Sequence, residues 1–350
     1  MNIALDSTYS IGADLSGVGV YSREMLYGLA RAHPHDRFAF CYRPHRFLPS
    51  WREHLPPNAR RFLLGETRAP RSADLFHGLN QRLPQTRLRR AVTTFHDLFV
   101  MTGEYSTPEF RARFAAQARD AAARSDRIIA VSNFTARQVT EVLGIDPSLV
   151  RVVHHGVGSA VGTPAGDVLP REKIILHVGA IQHRKNIARL VDAFERVDRD
   201  WQLVLAGAAG YGAAEIAGRI GAAHSRERIL SLGYVPQPEL ARWYARATIF
   251  AFPSLDEGFG MPVLEAMASG TPVIASNRSA IPEVAGEAAW LVNPEDTEEL
   301  ASALVSLTRD PELRAELSAR GRSRAKQFTW AKAVEQTWQV YGELAGKRPD

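Results

Sequence analysis

Short apolar runs with strand character alternate with amphipathic helical stretches along nearly the whole chain, and the series occurs twice. Strands that are apolar on both sides must be buried on both faces. Parallel neighbours also need a crossover, usually a helix, so this rhythm restricts the fold to parallel sheets sandwiched between helices. In the first half the strand candidates are residues 2–7, 38–43, 74–77, 91–95, 126–131 and 150–154, with helices over 20–32, 107–124 and 133–143. Pro108 sits in the first turn of the second helix, and Phe110 and Phe114 share one face of it. Ser132 can cap the third, which Gly144 closes. In the second half the strands are 173–178, 201–206, 228–232, 249–253, 272–276 and 289–292, with helices over 186–197, 215–223, 238–247 and 262–269. The tail reads as helices over 298–308, 311–327 and 329–345. The Gly- and Pro-rich stretch 156–170 has no periodicity and reads as a linker. The expected fold class is therefore α/β, with two Rossmann-like doubly wound domains facing across a cleft: 1–165, 166–328, and a terminal helical segment 329–350.

Composition narrows the function classes. With 350 residues, 45% of them hydrophobic, the chain can fill two cores and is not a disordered protein. A single cysteine, Cys41, excludes a disulfide scaffold and a Cys-rich zinc site. No apolar run approaches the roughly 18 residues of a membrane helix, and the first residues lack a basic segment followed by an apolar one. The expectation is a soluble, cytoplasmic protein. The net charge of +5 is unevenly placed: residues 1–165 carry 21 Arg and 14 acids, and the window 31–90 alone carries 13 Arg and four acids. A basic half attracts anionic partners, whether nucleic acid, lipid head groups or a phosphorylated substrate. The chain's preference for Arg over Lys (38 against five) explains the residue type but not the asymmetry.

In an open α/β sheet, ligands bind at the carboxyl ends of the strands, so the loops there carry the chemistry. The most informative is 252–276, FPSLDEGFGMPVLEAMASGTPVIAS. Glu257, Gly258, Phe259 and Gly260 form a loop, and a helix opens at Pro262. Its free N–H groups and dipole make an anion site. A carboxylate there repels phosphate but suits sugar or ribose hydroxyls. Glu257 alone could be a solvated loop acid and Glu265 alone a helix-dipole complement. As a pair flanking a Gly-rich helix start they read as functional. In VGAIQHRKN (178–186), Arg184 and Lys185 can clamp a diphosphate, or be solvated loop cations. In SGVGV (16–20) the glycines permit close approach of a ligand, or make an ordinary tight turn. In TTFHDL (93–98), His96 stands at a strand end where it can reach a sugar, or be structural. A direct dyad with Asp97 is disfavoured because adjacent strand residues point to opposite faces. No metal site, P-loop or G-x-S-x-G elbow is present in the sequence.

These segments resemble the retaining glycosyltransferases of family GT4, which have the GT-B fold. EGFGMPVLEAMASGTPVIAS looks like the family's E-x7-E region, with Glu257 and Glu265 as its two glutamates. SGVGVYSREM, FHGLN, TTFHDL, AVSNFTARQV, VVHHGV, VGAIQHRKN and GYVPQPEL fall in the family's order. The resemblance implies a nucleotide-sugar donor on the C-terminal domain and a saccharide or lipid-linked acceptor on the N-terminal one. It implies that Arg184 and Lys185 hold the diphosphate and that Glu265 binds ribose. Glu257 and the backbone of Phe259, Gly260 and Met261 then contact the donor sugar and phosphate. Val235 lies at the base, His96 reaches the sugar, and Gly17 lies near the phosphates or acceptor. It further implies that the terminal helix crosses back to the first domain. Many members have an Arg where this chain has Ala180, so the clamp rests on Arg184 and Lys185. The subgroup with R-K-N at this point resembles bacterial mannosyltransferases of surface polysaccharide assembly. The reading is therefore a metal-independent, cofactor-free hexosyltransferase with GDP-mannose as the first choice of donor and UDP- and dTDP-sugars left open, touching an anionic membrane peripherally and binding no nucleic acid. A UDP-sugar 2-epimerase of the same fold and a non-enzymatic anionic-surface binder are the alternatives.

Overall fold

The computed structural model describes residues 1–12, 15–158 and 171–345. They divide into two units, one of Met1–Gly156 joined by the chain from Trp330 onward, the other of Val157–Thr329. Residues 159–170, most of the stretch read as a linker, lie outside the described residues.

The first unit is built on seven parallel strands, β1 (Asn2–Asp6), β2 (Arg37–Tyr42), β3 (Ala59–Leu63), β4 (Leu75–Gly78), β5 (Ala91–Phe95), β6 (Arg127–Ala130) and β7 (Val150–Val152). They lie in the order β3-β2-β1-β4-β5-β6-β7. The chain thus winds outward in one direction from β1, then returns to wind in the other. Ile3 pairs with Phe38 on one side and Leu75 on the other. Its helices are α1 (Gly17–Ala32), α2 (Pro44–Phe47), α3 (Phe99–Thr102), α4 (Pro108–Ala123) and α5 (Asn133–Leu143). Thr107 caps α4 and Ser132 caps α5 through their side chains, and Gly144 ends α5 in the left-handed region.

Alternation along the strands sends side chains to the cores on the two faces of the sheet. Ile3, Leu5, Phe38, Phe40 and Tyr42 face a cluster with Met25, Leu26 and Leu29 of α1, whereas Ala4, Ala39 and Cys41 face the opposite side.

The second unit has six parallel strands, β8 (Glu172–Val178), β9 (Gln202–Ala206), β10 (Ile229–Gly233), β11 (Ala247–Phe252), β12 (Val273–Ser276) and β13 (Trp290–Val292), in the order β10-β9-β8-β11-β12-β13. Its helices are α6 (Ile187–Phe194), α7 (Ala213–Ala222), α8 (Gln237–Arg246), α9 (Met261–Ala268), α10 (Ile281–Ala285), α11 (Thr297–Arg309) and α12 (Pro311–Ala325). Leu190, Val191 and Phe194 of α6 share one core with Leu300, Ala303 and Leu304 of α11.

The last helix, α13 (Trp330–Ala345), belongs to the first unit. Ala333, Val334, Val340, Tyr341 and Leu344 pack into the α1 core. The helices approach closely at Gly28, where a Cβ would stand 2.5 Å from a Val334 methyl. His33 stacks on Trp338 at 3.5 Å. Glu343 accepts from Arg127 at 2.7 Å and from Arg151 at 2.8 Å, fastening the helix to β6 and β7.

The structure corrects the expected elements in places. Strand β3 was not anticipated: Arg60 and Arg61 interrupt its apolar run, which an edge strand tolerates. Helix α9 begins at Met261 rather than Pro262, and β7 ends at Val152, two residues short. The short helix α10 also escaped, its five residues carrying no readable period.

Candidate active site

In the second unit, the loops after β8 and β11 meet at the carboxyl edge of the sheet, because those two strands are neighbours. The first carries Arg184 and Lys185 in a single tight turn, the second Glu257. Asn186 stitches the loops together. It holds a left-handed backbone at φ 58°, and its Nδ2 donates to the carbonyls of Pro253, at 3.1 Å, and Pro294, at 2.6 Å. The Leu255 N–H and the Ser254 hydroxyl both donate to the Arg184 carbonyl, at 2.8 and 3.1 Å.

The charged groups converge on one atom. Glu257 Oε1 accepts from Lys185 Nζ at 2.5 Å and from Ser254 Oγ at 2.6 Å, and lies 2.9 Å from Arg184 Nη1. Arg184 also donates to the Asp256 carbonyl. Lys185 Nζ sits 4.7 Å from the centre of the Phe252 ring. All three ionic side chains are buried. Burial works to raise the Glu257 carboxyl, but Arg184 and Lys185, helped by hydrogen bonds from Lys185 and Ser254, bring it down to about 2. Removing either cation would leave a buried charge poorly compensated.

Just beyond, Gly260 turns the chain into α9 with φ 105°, a value that suits glycine, and a Cβ there would meet Ile281 at 2.6 Å. Met261 is the first helical residue, with Pro262 beside it. Phe259 is buried with its ring edge-on to Phe328 at 5.9 Å. Glu265 is separate from the Glu257 cluster in its bonding. It accepts from the Tyr244 hydroxyl at 2.9 Å. Its own surface is partly open, yet the protein packed around it pushes its carboxyl up to about 7 through burial, against hydrogen bonds from Tyr244 and Gln237. Val235 is buried in the loop after β10.

In the first unit, Gly17 is the exposed first residue of α1, one past its cap Ser16. His96, just past β5, is buried. A ring nitrogen bonds the Leu79 carbonyl at 2.9 Å, and the ring stacks on His155 at 5.4 Å and meets Tyr21 edge-on at 4.8 Å. Burial pulls its pKa down to about 4, so the ring is neutral at pH 7.

The structure thus brings together Arg184, Lys185 and Glu257, with Phe259, Gly260 and Met261 following directly. In the second unit Ser254, Asn186 and Tyr244, and in the first unit His155 and Tyr21 around His96, are contacts that the sequence reading missed. The tripeptide R-K-N held a clue to Asn186, since Asn is the residue besides Gly that most readily adopts a left-handed backbone. Among the described residues no group of three or more His, Cys, Asp or Glu side chains could hold a metal ion. The one D-x-D, Asp198 and Asp200, lies on the amino edge ahead of β9, paired with Arg309 and Lys173.

Two parallel doubly wound units, one with a buried cation pair beside a glycine-led helix start, are the layout of a GT-B glycosyltransferase. The glycosyl transferases group 1 model matches residues 166–324 and the Glycosyltransferase Family 4 model residues 15–160. The chain is 31% identical to the O-antigen chain mannosyltransferase B of Escherichia coli over 76% of its own length and 74% of that protein. It is 32% identical to a D-inositol 3-phosphate glycosyltransferase of Streptomyces bingchenggensis over 69% of its length, but spans only 57% of that protein. In fold it is similar to a sucrose-phosphate synthase of Thermosynechococcus elongatus, with a TM-score of 0.81 at 24% identity over 98% of this chain and 99% of that one. The lipopolysaccharide glycosyltransferase WaaG superposes with a TM-score of 0.73 at 14% identity, over 99% of this chain and 100% of that one. The chain belongs to glycosyltransferase family 4.

Proposed function

We propose that the protein moves a hexose, mannose from GDP-mannose, onto a saccharide or lipid-linked acceptor in surface polysaccharide assembly. The observation that carries the reading is the buried Arg184–Lys185–Glu257 constellation beside the start of α9. Similarity to the O-antigen chain mannosyltransferase B and to a serotype-specific mannosyltransferase of Escherichia coli supports the choice of sugar.

Breaking the anomeric C–O bond develops negative charge on the departing diphosphate and positive charge on the sugar. Arg184, Lys185 and the first N–H groups of α9 stabilise the former. Preorganised donors of this kind are worth about 2.7–4 kcal/mol each. Glu257 accepts from sugar hydroxyls, and its charge favours the developing oxocarbenium. The acceptor hydroxyl attacks the face from which the diphosphate leaves, and its proton passes to the departing phosphate oxygen, so configuration is retained. Glu265 accepts from the ribose hydroxyls, and Val235 lies against the base. Without a metal in this scheme, the two cations and the helix start carry the whole charge of the leaving group.

The acceptor side belongs to the first unit. No helix among the described residues is long and apolar enough to cross a membrane. A cytoplasmic enzyme acting on a lipid-linked acceptor then needs a peripheral contact. The segment after β2 supplies its chemistry: Leu48 and Trp51 are 77% and 65% exposed beside Arg46 and Arg52.

The deciding experiment is a thermal-shift screen in excess EDTA against GDP-, UDP- and dTDP-sugars, followed by product analysis. A ligand at 100 times its Kd stabilises by about 2.7 kcal/mol. GDP-mannose should give the largest shift. Nucleoside diphosphate should be released when acceptor is supplied, but not in its absence. A larger shift with another donor, or dependence on a divalent ion, overturns that part of the reading.

A further inference from the structure

The carboxyl edge of the first sheet holds a second pair of cations that the transfer scheme leaves unused. Arg43 is the first residue after β2 and Arg82 lies in the loop after β4. Glu66, in the turn after β3, joins them through one oxygen: Oε1 accepts from Arg43 Nη1 at 2.6 Å and from Arg82 Nη2 at 2.5 Å. Asp6, the last residue of β1, lies 3.9 Å from Arg43 Nε, and its Oδ1 is engaged by the Thr8 hydroxyl at 2.5 Å and the Thr8 N–H at 3.1 Å. Asp6 ends β1, and the other three side chains lie past the carboxyl ends of β2, β3 and β4; the four strands are contiguous in the order β3-β2-β1-β4, across the place where the winding reverses. In open α/β sheets that reversal is where ligands bind.

Two buried polar atoms at this edge of the sheet have no hydrogen-bond partner. Arg43 is only 7% exposed, yet its Nη2 is buried without a hydrogen-bond partner. Gln81, next to Arg82, is 6% exposed and its Oε1 is likewise unpaired. Buried polar atoms are nearly always bonded, so both atoms would gain a partner only if the side chains around them, Glu66 first, moved aside. The arrangement also repeats that of the other unit, where one glutamate holds a pair of cations at the strand ends. Glu66, unlike Glu257, is close to half exposed on a short turn, so it can be displaced.

We propose that Arg43 and Arg82 seat a phosphate group carried by the acceptor substrate, and that Glu66 holds their charge when that substrate is absent. The geometry of the seat stands alone; its assignment to the acceptor rests on the transferase reading. Arg43 is also the residue just before α2, which leads to the exposed Leu48 and Trp51, so a phosphate on an isoprenoid chain and a phosphate on a free sugar can both present the group.

The test is calorimetric titration of the full chain with glucose 6-phosphate and with geranyl diphosphate, using wild type, Glu66→Gln, Arg82→Gln and Lys185→Ala. Glu66→Gln removes the competing charge at constant size and should tighten binding by about threefold or more. Arg82→Gln should weaken it by about tenfold, the loss of one charge-assisted bond. Tighter binding of the isoprenoid probe than of the sugar phosphate identifies a lipid carrier, and the converse a soluble one; either supports the seat. If Glu66→Gln weakens binding or leaves it unchanged, Glu66 is only a structural ion-pair partner and the proposal falls. If only Lys185→Ala matters, phosphate binds the donor loop, which overturns this site and leaves the transfer reading standing. Melting curves of Arg82→Gln check its fold, and Glu66→Gln decides alone if that variant unfolds.

Discussion

Two glutamates eight positions apart are driven in opposite directions by their surroundings. Glu257 is held down to about 2 because Arg184 and Lys185 outweigh its burial, and Glu265 is pushed up to about 7 because nothing cationic offsets its burial. Against an ordinary value of 4.5, Glu257 contributes stability above that pH and loses it as pH falls through about 2. Glu265 contributes stability below 4.5 and loses it as pH rises through about 7. Urea midpoints at pH 5 and pH 8 should therefore differ less in Glu265→Gln than in wild type; an unchanged difference would locate the titration elsewhere. The same variants separate ribose from sugar. Glu265→Gln should weaken nucleoside diphosphate binding and abolish a tightening between pH 6 and 8. Glu257→Gln should leave that affinity within about threefold while kcat drops by about a hundredfold or more. Equal losses of affinity in both, measured by calorimetry, would end the division of roles. The sequence pattern E-x7-E drew attention to both residues. It held no sign that the first would be clasped by cations some 70 positions earlier, since chain-distant ion pairs leave no periodic trace.

At the scale of elements, what was readable follows from burial. Strands buried on both faces, such as residues 91–95 and 249–253, advertised themselves by unbroken apolar runs. Strand β3 did not, because at a sheet edge Arg60 and Arg61 reach solvent and polar backbone and need no core: Arg61 donates to the Ser50 carbonyl at 3.0 Å. Glycine and proline punctuation located the start of α9 to within a residue. The joint between the β8 and β11 loops rests instead on chain-distant bonds, among them those of the Asn186 side chain. Asn186→Ala should cost about 2–4 kcal/mol, from two lost hydrogen bonds and a strained left-handed backbone. Asn186→Gly relieves the strain but not the lost bonds, and should be less damaging by about 1 kcal/mol. Chemical denaturation of both checks this, and equal losses would show that the backbone there carries no strain.

For the molecule as a whole, charge asymmetry is the property that sequence states most directly and structure refines. The excess of Arg in residues 31–90 is partly consumed internally: Arg43 and Arg82 share Glu66, and Arg61 stacks on Trp51 at 4.8 Å. Arg46 and Arg52 remain beside the exposed Leu48 and Trp51. Anionic vesicles should therefore bind the protein more than neutral ones, salt should weaken the binding, and a Leu48→Ser/Trp51→Ser variant should lose it with its melting temperature nearly intact. Equal binding to both vesicle types would leave the Arg excess a matter of residue preference. The return of α13 to the first unit has a consequence of another kind. The second unit begins and ends at neighbouring points, because Val157 and Thr329 are paired as a parallel bridge and the Val157 N–H donates to the Phe328 carbonyl. Topologically it is an insert spliced into a host, with its two ends clasped like the neck of a loop. Such a piece can be exchanged between relatives at a single seam without severing any strand of the host. A chimera that takes residues 157–329 from a relative therefore keeps every strand of the host sheet, provided the host keeps both α1 and α13.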